Sequence, residues 1–85
     1  QGLTIYLLSD GTGETAATMI RAALVQYSQA EINIVRYKNV RSENQVEAII
    51  DECFENRGLI VFTVASPTMR LRIKELAAGK GIPYH

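Results

Sequence analysis

The sequence predicts an α/β fold in three layers, with a parallel sheet of at least three strands and helices on both faces. Residues 3–8 and 59–65 are short, almost continuous apolar runs, as expected for strands that are buried on both faces. A stretch with apolar residues at helical spacing follows each predicted strand. Strands that alternate with helices over short connections run parallel and are joined by right-handed crossovers.

The first strand, residues 3–8, ends at a Ser-Asp-Gly turn and is followed by a helix. The inward stripe predicted for this helix is Ala16, Ile20, Ala23, Leu24 and Tyr27. The second strand, residues 32–38, alternates more, because Asn33 and Arg36 interrupt its apolar residues. This mixed polarity favours an edge position, which predicts the strand order 2-1-3 in a Rossmann-like or flavodoxin-like sheet.

The second and third helices carry clear start signals. Ser42 and Gln45 form a capping-box signature for the second helix, and Gly58 follows its end. The predicted inward stripe of this helix is Val46, Ile49, Ile50, Cys53 and Phe54. The third helix begins with Ser66 as N-cap and Pro67 at the first helical position. Its predicted inward residues are Met69, Ile73, Leu76 and Ala77.

The strand order also predicts how the helices are distributed. With the order 2-1-3, the first helix lies on one face of the sheet, and the second and third lie on the other. One face is then covered by a single helix, which we expect further residues or a partner to complete. The chain begins Gln1-Gly2 without a methionine and ends in an extended apolar segment, residues 81–85. We therefore expect residues 1–85 to form a single α/β domain, the amino-terminal fragment of a longer protein.

Composition argues against several functional classes. The 85 residues include nine basic and nine acidic side chains, so the formal net charge is zero and the chain lacks the positive field of a nucleic-acid binder. The lone Cys53 excludes a disulfide framework or a cysteine metal cage within this chain. No apolar run reaches about 18 residues, and no signal-like start is present. We expect a cytoplasmic chain that binds neither nucleic acid nor membrane and holds no metal.

The candidate site is the edge of the sheet where the first and third strands end. In open parallel sheets, ligands bind outside the carboxyl ends of the strands, at the point where the strand order reverses. Two loops meet there, and their glycines, hydroxyl groups and helix-start N–H groups predict a phosphate or nucleotide cradle. The predicted binding residues are Ser9, Asp10, Gly11, Thr12, Gly13, Glu14, Thr15, Ser66 and Thr68. The alternative is a turn that only caps the helix, through Asp10, Thr12 or Thr15.

Known motifs give two interpretations of the first loop. Residues 11–16 fit the G-x-G-x-x-A dinucleotide fingerprint, but no acidic residue ends the second strand. Residues 12–15 resemble the T-G-x-T loop with which flavodoxins bind the phosphate of FMN, so a truncated flavodoxin-like FMN-binding module is an alternative function. Residues 66–68 offer no aromatic side chain on which a flavin could stack. A plain interaction module, docked through its sheet face, is the remaining alternative.

A broader resemblance covers nearly the whole chain. Residues 5–16, 59–63, 66–70 and 81–83 resemble the amino-terminal part of the kinase-pyrophosphorylase family, the regulatory proteins of pyruvate, phosphate dikinase and of phosphoenolpyruvate synthase. The most specific part is the opening V-S-D-x-T-G-x-T-A pattern. Here Leu8 stands at the aliphatic position, and the Ser-Asp, Thr-Gly and Thr-Ala pairs are kept.

The resemblance implies a bifunctional regulator. One activity is an ADP-dependent serine/threonine kinase that phosphorylates a threonine of the target enzyme, and the other is a phosphorylase that uses inorganic phosphate to remove that phosphate as pyrophosphate. ADP and inorganic phosphate are the implied cofactors, one of the two target enzymes is the implied partner, and a homodimer is expected. The P-loop of the family lies downstream of residue 85, so only the Ser9–Ala16 loop carries over and the catalytic residues stay unassigned. Family members usually have an acidic residue before Pro67, where this chain has Ser66.

Basic residues outside the loop are assigned mainly to solvent. A cluster after the second strand suits a solvated sheet edge: Arg36, Lys38 and Arg41. Arg70, Arg72 and Lys74 are spaced two apart, so we expect them to splay around one side of the third helix. Arg70 alone lies near enough to the helix start to be a candidate for contact with an anion.

Overall fold

The computed structural model describes residues 2–24 and 31–85, which form three strands and three helices in alternation. In chain order these are β1 (Gly2–Ser9), α1 (Glu14–Leu24), β2 (Glu31–Tyr37), α2 (Glu43–Glu55), β3 (Leu59–Thr63) and α3 (Pro67–Gly79). The α/β prediction is confirmed, and each described element lies within a few residues of its expected place. Tyr27, which was predicted to face inward from the first helix, lies outside the described residues.

The sheet is parallel and has the order β2-β1-β3, as the polarity of the second strand predicts. Ile5 in the central strand pairs with Ile34 on one side and with Leu59 on the other. Residues of β1 are buried along most of the strand, whereas β2 alternates between exposed and half-buried positions. The central strand is therefore the most apolar because it has neighbours on both edges as well as on both faces.

The main hydrophobic core lies between the sheet and helices α2 and α3. Tyr6 and Leu8 of β1 and Ile60 of β3 contribute from the sheet, where alternate residues share a face. The helices contribute buried residues that largely match the predicted stripes: Val46, Ile49, Ile50, Cys53, Ile73 and Ala77. The Tyr6 ring stacks on the Tyr37 ring with centroids 6.5 Å apart. Tyr6 is therefore a core aromatic, as expected.

The opposite face of the sheet carries Ile5 and Leu7, which are buried outside that cluster. Helix α1 begins on this face, because Gly13 lies against Ser9 and Arg36, two residues that share the pleat side of Leu7. Helices α2 and α3 therefore lie on one face and α1 on the other, as the strand order implies. Ile34, Leu59 and other apolar residues of the α1 face stay only half buried within the described parts of the chain.

Two predicted stripes need correction. In α1 the buried residue is Ala17, while Ala23 is exposed and Ala16, Ile20 and Leu24 are half buried. Among the described residues α1 is the only helix on its face, so its flanks are not enclosed by a neighbouring helix. In α2, Phe54 is 51% exposed instead of buried. It lies on the flank of the apolar stripe, where the Lys80 ammonium sits 5.1 Å from the ring centroid.

Both predicted helix starts are confirmed. The Ser42 hydroxyl accepts a hydrogen bond from the Gln45 N–H at 3.2 Å, and the Gln45 side chain accepts one from the Ser42 N–H at 3.0 Å. Ser66 caps α3 by accepting a hydrogen bond from the Met69 N–H at 3.2 Å, with Pro67 in the first turn. These local bonds satisfy N–H groups that lack helical partners and so fix where each helix begins.

The free edge of β3 is partly covered by residues 83–85. The Ile60 N–H donates to the Pro83 carbonyl at 2.9 Å, and the His85 N–H donates to the Ile60 carbonyl at 2.9 Å. Tyr84 forms a parallel bridge with Ile60. This short extended segment follows Gly81, whose φ of 70° lets the chain turn after α3. It places His85 beside the carboxyl end of β3.

Candidate functional site

The carboxyl ends of β1 and β3 lie side by side, and the loops that follow them are in direct contact. Ser9 at the end of β1 pairs with Thr63 at the end of β3. One residue further on, the Asp10 carboxylate accepts a hydrogen bond from the Ala65 N–H at 2.9 Å. The two loops that the sequence singled out therefore form one continuous surface at the point where the strand order reverses.

Several polar groups of the β1–α1 loop are engaged within the loop itself. The Ser9 side chain, in a residue only 4% exposed, accepts a hydrogen bond from the Gly11 N–H at 3.0 Å. The Thr12 hydroxyl accepts one from the Glu14 N–H at 3.3 Å, which caps the start of α1. Each hydroxyl keeps its own proton to donate. The loop is thus preorganised, and its hydroxyl groups retain hydrogen-bonding capacity.

The loop after β2 holds the other side of the β1–α1 loop. The Asn39 N–H donates to the Gly11 carbonyl at 2.8 Å, and the Val40 N–H donates to the Ser9 carbonyl at 2.9 Å. Asn39 has a φ of 58°, a left-handed conformation that asparagine tolerates better than most residues. Sequence analysis missed this contact. An asparagine at the end of a strand was the available signal, but it does not reveal which carbonyl its amide meets.

The two glycines of the loop differ in what they contribute. Gly13 has a φ of 74°, and a Cβ placed there would lie 3.2 Å from Ser9 Cβ and 3.3 Å from Arg36 Cγ. Gly11 does not have a positive φ, and a Cβ there would meet only the Ser9 hydroxyl, at 3.9 Å. Gly13 is therefore required by the backbone itself. Gly11 leaves open space beside the main chain, as a closely approaching ligand would need.

The start of α1 offers main-chain donors. Its helical ladder begins with the Ala17 N–H donating to the Gly13 carbonyl at 2.9 Å, so the amides of Thr15 and Ala16 lie outside that ladder. Glu14 and Thr15 are exposed and line a shallow cavity of about 220 Å³ together with Thr18. A negative group could bind such amides, but the Glu14 carboxylate beside them opposes it.

On the α3 side, the predicted residues have local roles. Ser66 uses its hydroxyl as the helix cap, and Thr68 is exposed in the first turn. The structure therefore brings Asp10 and the loop after β3 together by a direct bond. It keeps Thr12 and Glu14 in the separate α1 turn.

A larger cavity, of about 580 Å³, opens beside the carboxyl end of β3. Its lining residues are Asp10, Phe62, Thr63, Val64, Ala65, Arg70, Lys74 and His85. Of the nine predicted binding residues only Asp10 lines it. Arg70 and Lys74 are one helical turn apart on α3, so they share a face and converge on the cavity instead of splaying as expected. The four-residue spacing was the signal that could have found this pair.

Neither a metal cluster nor a membrane span is found in the described parts of the chain. Within residues 2–24 and 31–85, no three His, Cys, Asp or Glu side chains come together in a way that could hold a metal ion. Over the same residues, every helix is too short or too polar to cross a bilayer. The titratable groups with altered pKa values lie away from the cavity. Burial raises the pKa of the Cys53 thiol, and a hydrogen bond to Glu52 raises the pKa of Tyr37 to about 12.

Comparison with known proteins identifies the family. The model of the kinase/pyrophosphorylase family matches residues 5–85. This chain belongs to the kinase/pyrophosphorylase family. The match includes the β1–α1 loop, the α3 start and the segment after Gly81, on which the resemblance was first seen, and it places the chain in this family instead of among the flavodoxins.

Relatives in several bacteria agree with the family match. A protein of Bdellovibrio bacteriovorus, provisionally named a pyruvate, phosphate dikinase regulatory protein, is 65% identical over 81 residues, or 95% of this chain. Proteins with the same provisional name from Listeria welshimeri and Pelobacter propionicus are 38% and 36% identical over 93% and 92% of the chain. The chain spans 28–29% of the length of these three relatives.

Proposed function

We propose that residues 1–85 are the amino-terminal α/β domain of a bifunctional regulatory protein. That protein uses ADP to phosphorylate a threonine of pyruvate, phosphate dikinase or phosphoenolpyruvate synthase, and it uses inorganic phosphate to remove the phosphate as pyrophosphate. The observation that carries this proposal is the family match over residues 5–85, together with relatives named as regulators of the dikinase. We further propose a homodimer located in the cytoplasm.

In this proposal the domain supplies the sheet scaffold and one wall of a phosphate or nucleotide site. The wall consists of the predicted residues Ser9, Asp10, Gly11, Thr12, Gly13, Glu14, Thr15, Ser66 and Thr68. Three facts support it: the loop is tied to both neighbouring loops, Gly11 leaves the main chain open, and the amides at the start of α1 lie outside the helical ladder. Residues 1–85 contain no G-x-x-x-x-G-K-[ST] sequence, so we expect no kinase activity from them alone.

The kinase proposal is tested with the complete protein and each target enzyme in turn. ADP labelled in its β-phosphate is added, and the target is analysed for phosphothreonine by mass spectrometry. We expect one of the two enzymes to be labelled on a threonine, and added inorganic phosphate to release the label as pyrophosphate. Absence of labelling on both targets contradicts the kinase proposal. Labelling by residues 1–85 alone contradicts the assignment of this domain as scaffold.

The phosphate cradle is tested by substitution of its glycines. Gly13→Val would remove close approach, but it also forces a valine into a φ of 74°, so binding and stability would change together. Gly11→Ala is the cleaner variant, because its Cβ meets only the Ser9 hydroxyl. Gly79→Ala is the matched control, since a Cβ there meets nothing within 4 Å. We expect Gly11→Ala to weaken phosphate binding in calorimetry without lowering the melting temperature. Equal affinities in both variants would show that the loop is purely structural.

A further inference from the structure

The cavity beside β3 contains two cations that no carboxylate neutralises. Arg70 and Lys74 line it from one face of α3. Among the described residues, no carboxylate oxygen lies within 4.0 Å of either side chain, because the ion pairs found there involve Arg72 and Lys80. Like charges one turn apart on a helix repel each other. The pair is therefore a local cost to the fold that a bound anion would relieve.

Arg72 shows how the same helix treats a structural cation. It lies 3.7 Å from Glu43, 3.8 Å from Glu47 and 3.6 Å from Glu75, and so joins α3 to α2. The acidic side chains near α3 are thus gathered around Arg72, on the side away from the cavity. This segregation leaves Arg70 and Lys74 with an unshared positive field.

The one acidic residue in the lining is already engaged. Asp10 accepts the Ala65 N–H at 2.9 Å, which anchors its carboxylate at the mouth of the β1–β3 junction. Counting the lining residues with His85 neutral, two cations face one anion, so the formal charge of the cavity is one positive unit. A volume of about 580 Å³ is within the range of small-molecule sites. Phe62 and Val64 add an apolar wall.

We propose that this cavity binds a phosphoryl anion, with Arg70 and Lys74 as its cationic ligands. The guanidinium of Arg70 offers paired N–H donors that match the oxygens of a phosphate, and the Lys74 ammonium acts as a point charge beside it. The carboxyl end of a parallel strand, next to the point of order reversal, is the usual place for such a ligand. This site goes beyond the proposed function, which uses the α1 side of the same edge.

Two sources could supply that chemistry: free inorganic phosphate and the terminal phosphate of a nucleoside diphosphate. The half-buried Phe62 ring in the lining offers a stacking surface for a base, which inorganic phosphate would leave unused. Both ligands share the anionic group that Arg70 and Lys74 would contact. Titration with each ligand separately distinguishes the two sources.

The test is an amide NMR titration of the complete protein with inorganic phosphate and, separately, with ADP. We expect the amides of Thr63, Val64 and Ala65 to shift with phosphate. We expect Arg70→Gln and Lys74→Gln each to weaken the affinity measured at these amides about tenfold, the loss expected for one charge-assisted hydrogen bond. Arg21→Gln is the matched control, because it removes the same charge from an exposed position on α1, on the opposite face of the sheet.

The outcomes separate the ligand sources and decide the proposal. Shifts with both ligands, and an added shift at Phe62 with ADP, support the site and identify a nucleotide as its source. Shifts with phosphate alone support the site with free phosphate as the source. No shift at residues 63–65 with either ligand overturns the proposal, as does a loss in Arg70→Gln and Lys74→Gln no larger than in Arg21→Gln. Melting temperatures of all variants exclude misfolding. The kinase assay on the target enzymes is a separate readout, so either proposal can fail without the other.

Discussion

The carboxylate of Asp10 lies 2.9 Å from the main-chain nitrogen of Ala65 and accepts its hydrogen bond. The two residues are 55 positions apart in the chain, and each immediately follows the strand tips that meet at the carboxyl edge of the sheet. The bond satisfies an amide just before α3 and fixes the separation of the two loops. Asp10 therefore both assembles the edge of the sheet and contributes the one negative charge to the cavity there.

Asp10→Ala should destabilise the protein by about 1 kcal/mol, the usual net contribution of one hydrogen bond in a partly exposed position. Asp10→Asn should recover most of that loss, because its side-chain carbonyl can accept the same N–H. Urea denaturation of the three proteins measures both effects. Equal midpoints for the wild type and Asp10→Ala would mean that the loops are held without this bond.

Gly58→Ala should be among the most damaging small substitutions in the chain. A Cβ at this position would lie 2.7 Å from the Tyr6 ring and 2.9 Å from the Thr4 carbonyl, so the packed central strand would have to shift. We expect a loss of about 1–3 kcal/mol. Gly79→Ala serves as control, since its Cβ meets nothing and alanine favours the helix by about 0.5 kcal/mol. Thermal unfolding of both variants checks the pair, and a Gly58→Ala protein as stable as the wild type would contradict the packing.

Tyr37 should ionise at higher pH than an ordinary tyrosine. Its hydroxyl donates a hydrogen bond to the Glu52 carboxylate, which together with burial raises the pKa of Tyr37 from 10.0 to about 12. The folded state holds the phenol proton more tightly than the unfolded chain does. The stability gained from this pair is therefore fully present below pH 10 and is lost as the pH rises from 10 to 12.

The phenolate absorbance that is present in the wild type and missing in Tyr37→Phe gives the titration curve of Tyr37. We expect its midpoint at about 12 in the wild type and a lower midpoint in Glu52→Ala, which removes the largest cause of the shift. A wild-type midpoint near 10, the ordinary value of a tyrosine, would rule out the hydrogen bond in solution.

Cys53 should be unreactive in the folded protein. Its side chain is fully buried on α2, and burial raises the pKa of its thiol, so little thiolate forms near neutral pH. An aromatic disulfide reagent should therefore modify Cys53 slowly in buffer and rapidly in urea, with Cys53→Ser as the control that subtracts any other thiol. Rapid stoichiometric reaction in buffer would show that the core opens at α2.

Sequence signals predicted the local features well. Ser42 with Gln45 and Ser66 with Pro67 marked helix starts correctly, because capping depends on residues three apart in the chain. Phe54 was assigned wrongly, because helical periodicity gives the direction of a side chain but not the width of the surface that covers it. The contact of Asn39 with Gly11 could not be predicted, since a main-chain bond between distant loops leaves no pattern in side-chain types.

The candidate site divides in the same way. Glycines and hydroxyl residues drew attention to residues 9–15, where the local chemistry is visible in the sequence. The convergence of Arg70 and Lys74 on a cavity depends on where α3 packs, and Arg72 between them is drawn away by the acids of α2. Charge partners on another helix are a tertiary fact, so spacing alone gave the wrong expectation for this group.

By itself, the sequence determined the alternation of strands and helices, the edge position of β2 and the family, because each depends on local patterns of apolar and small residues. The tertiary structure alone decided which loops touch and which cations remain without acidic partners. Those properties arise from contacts between residues far apart in the chain, such as Asp10 with Ala65, and their energies depend on distances that only the packed sheet and helices set.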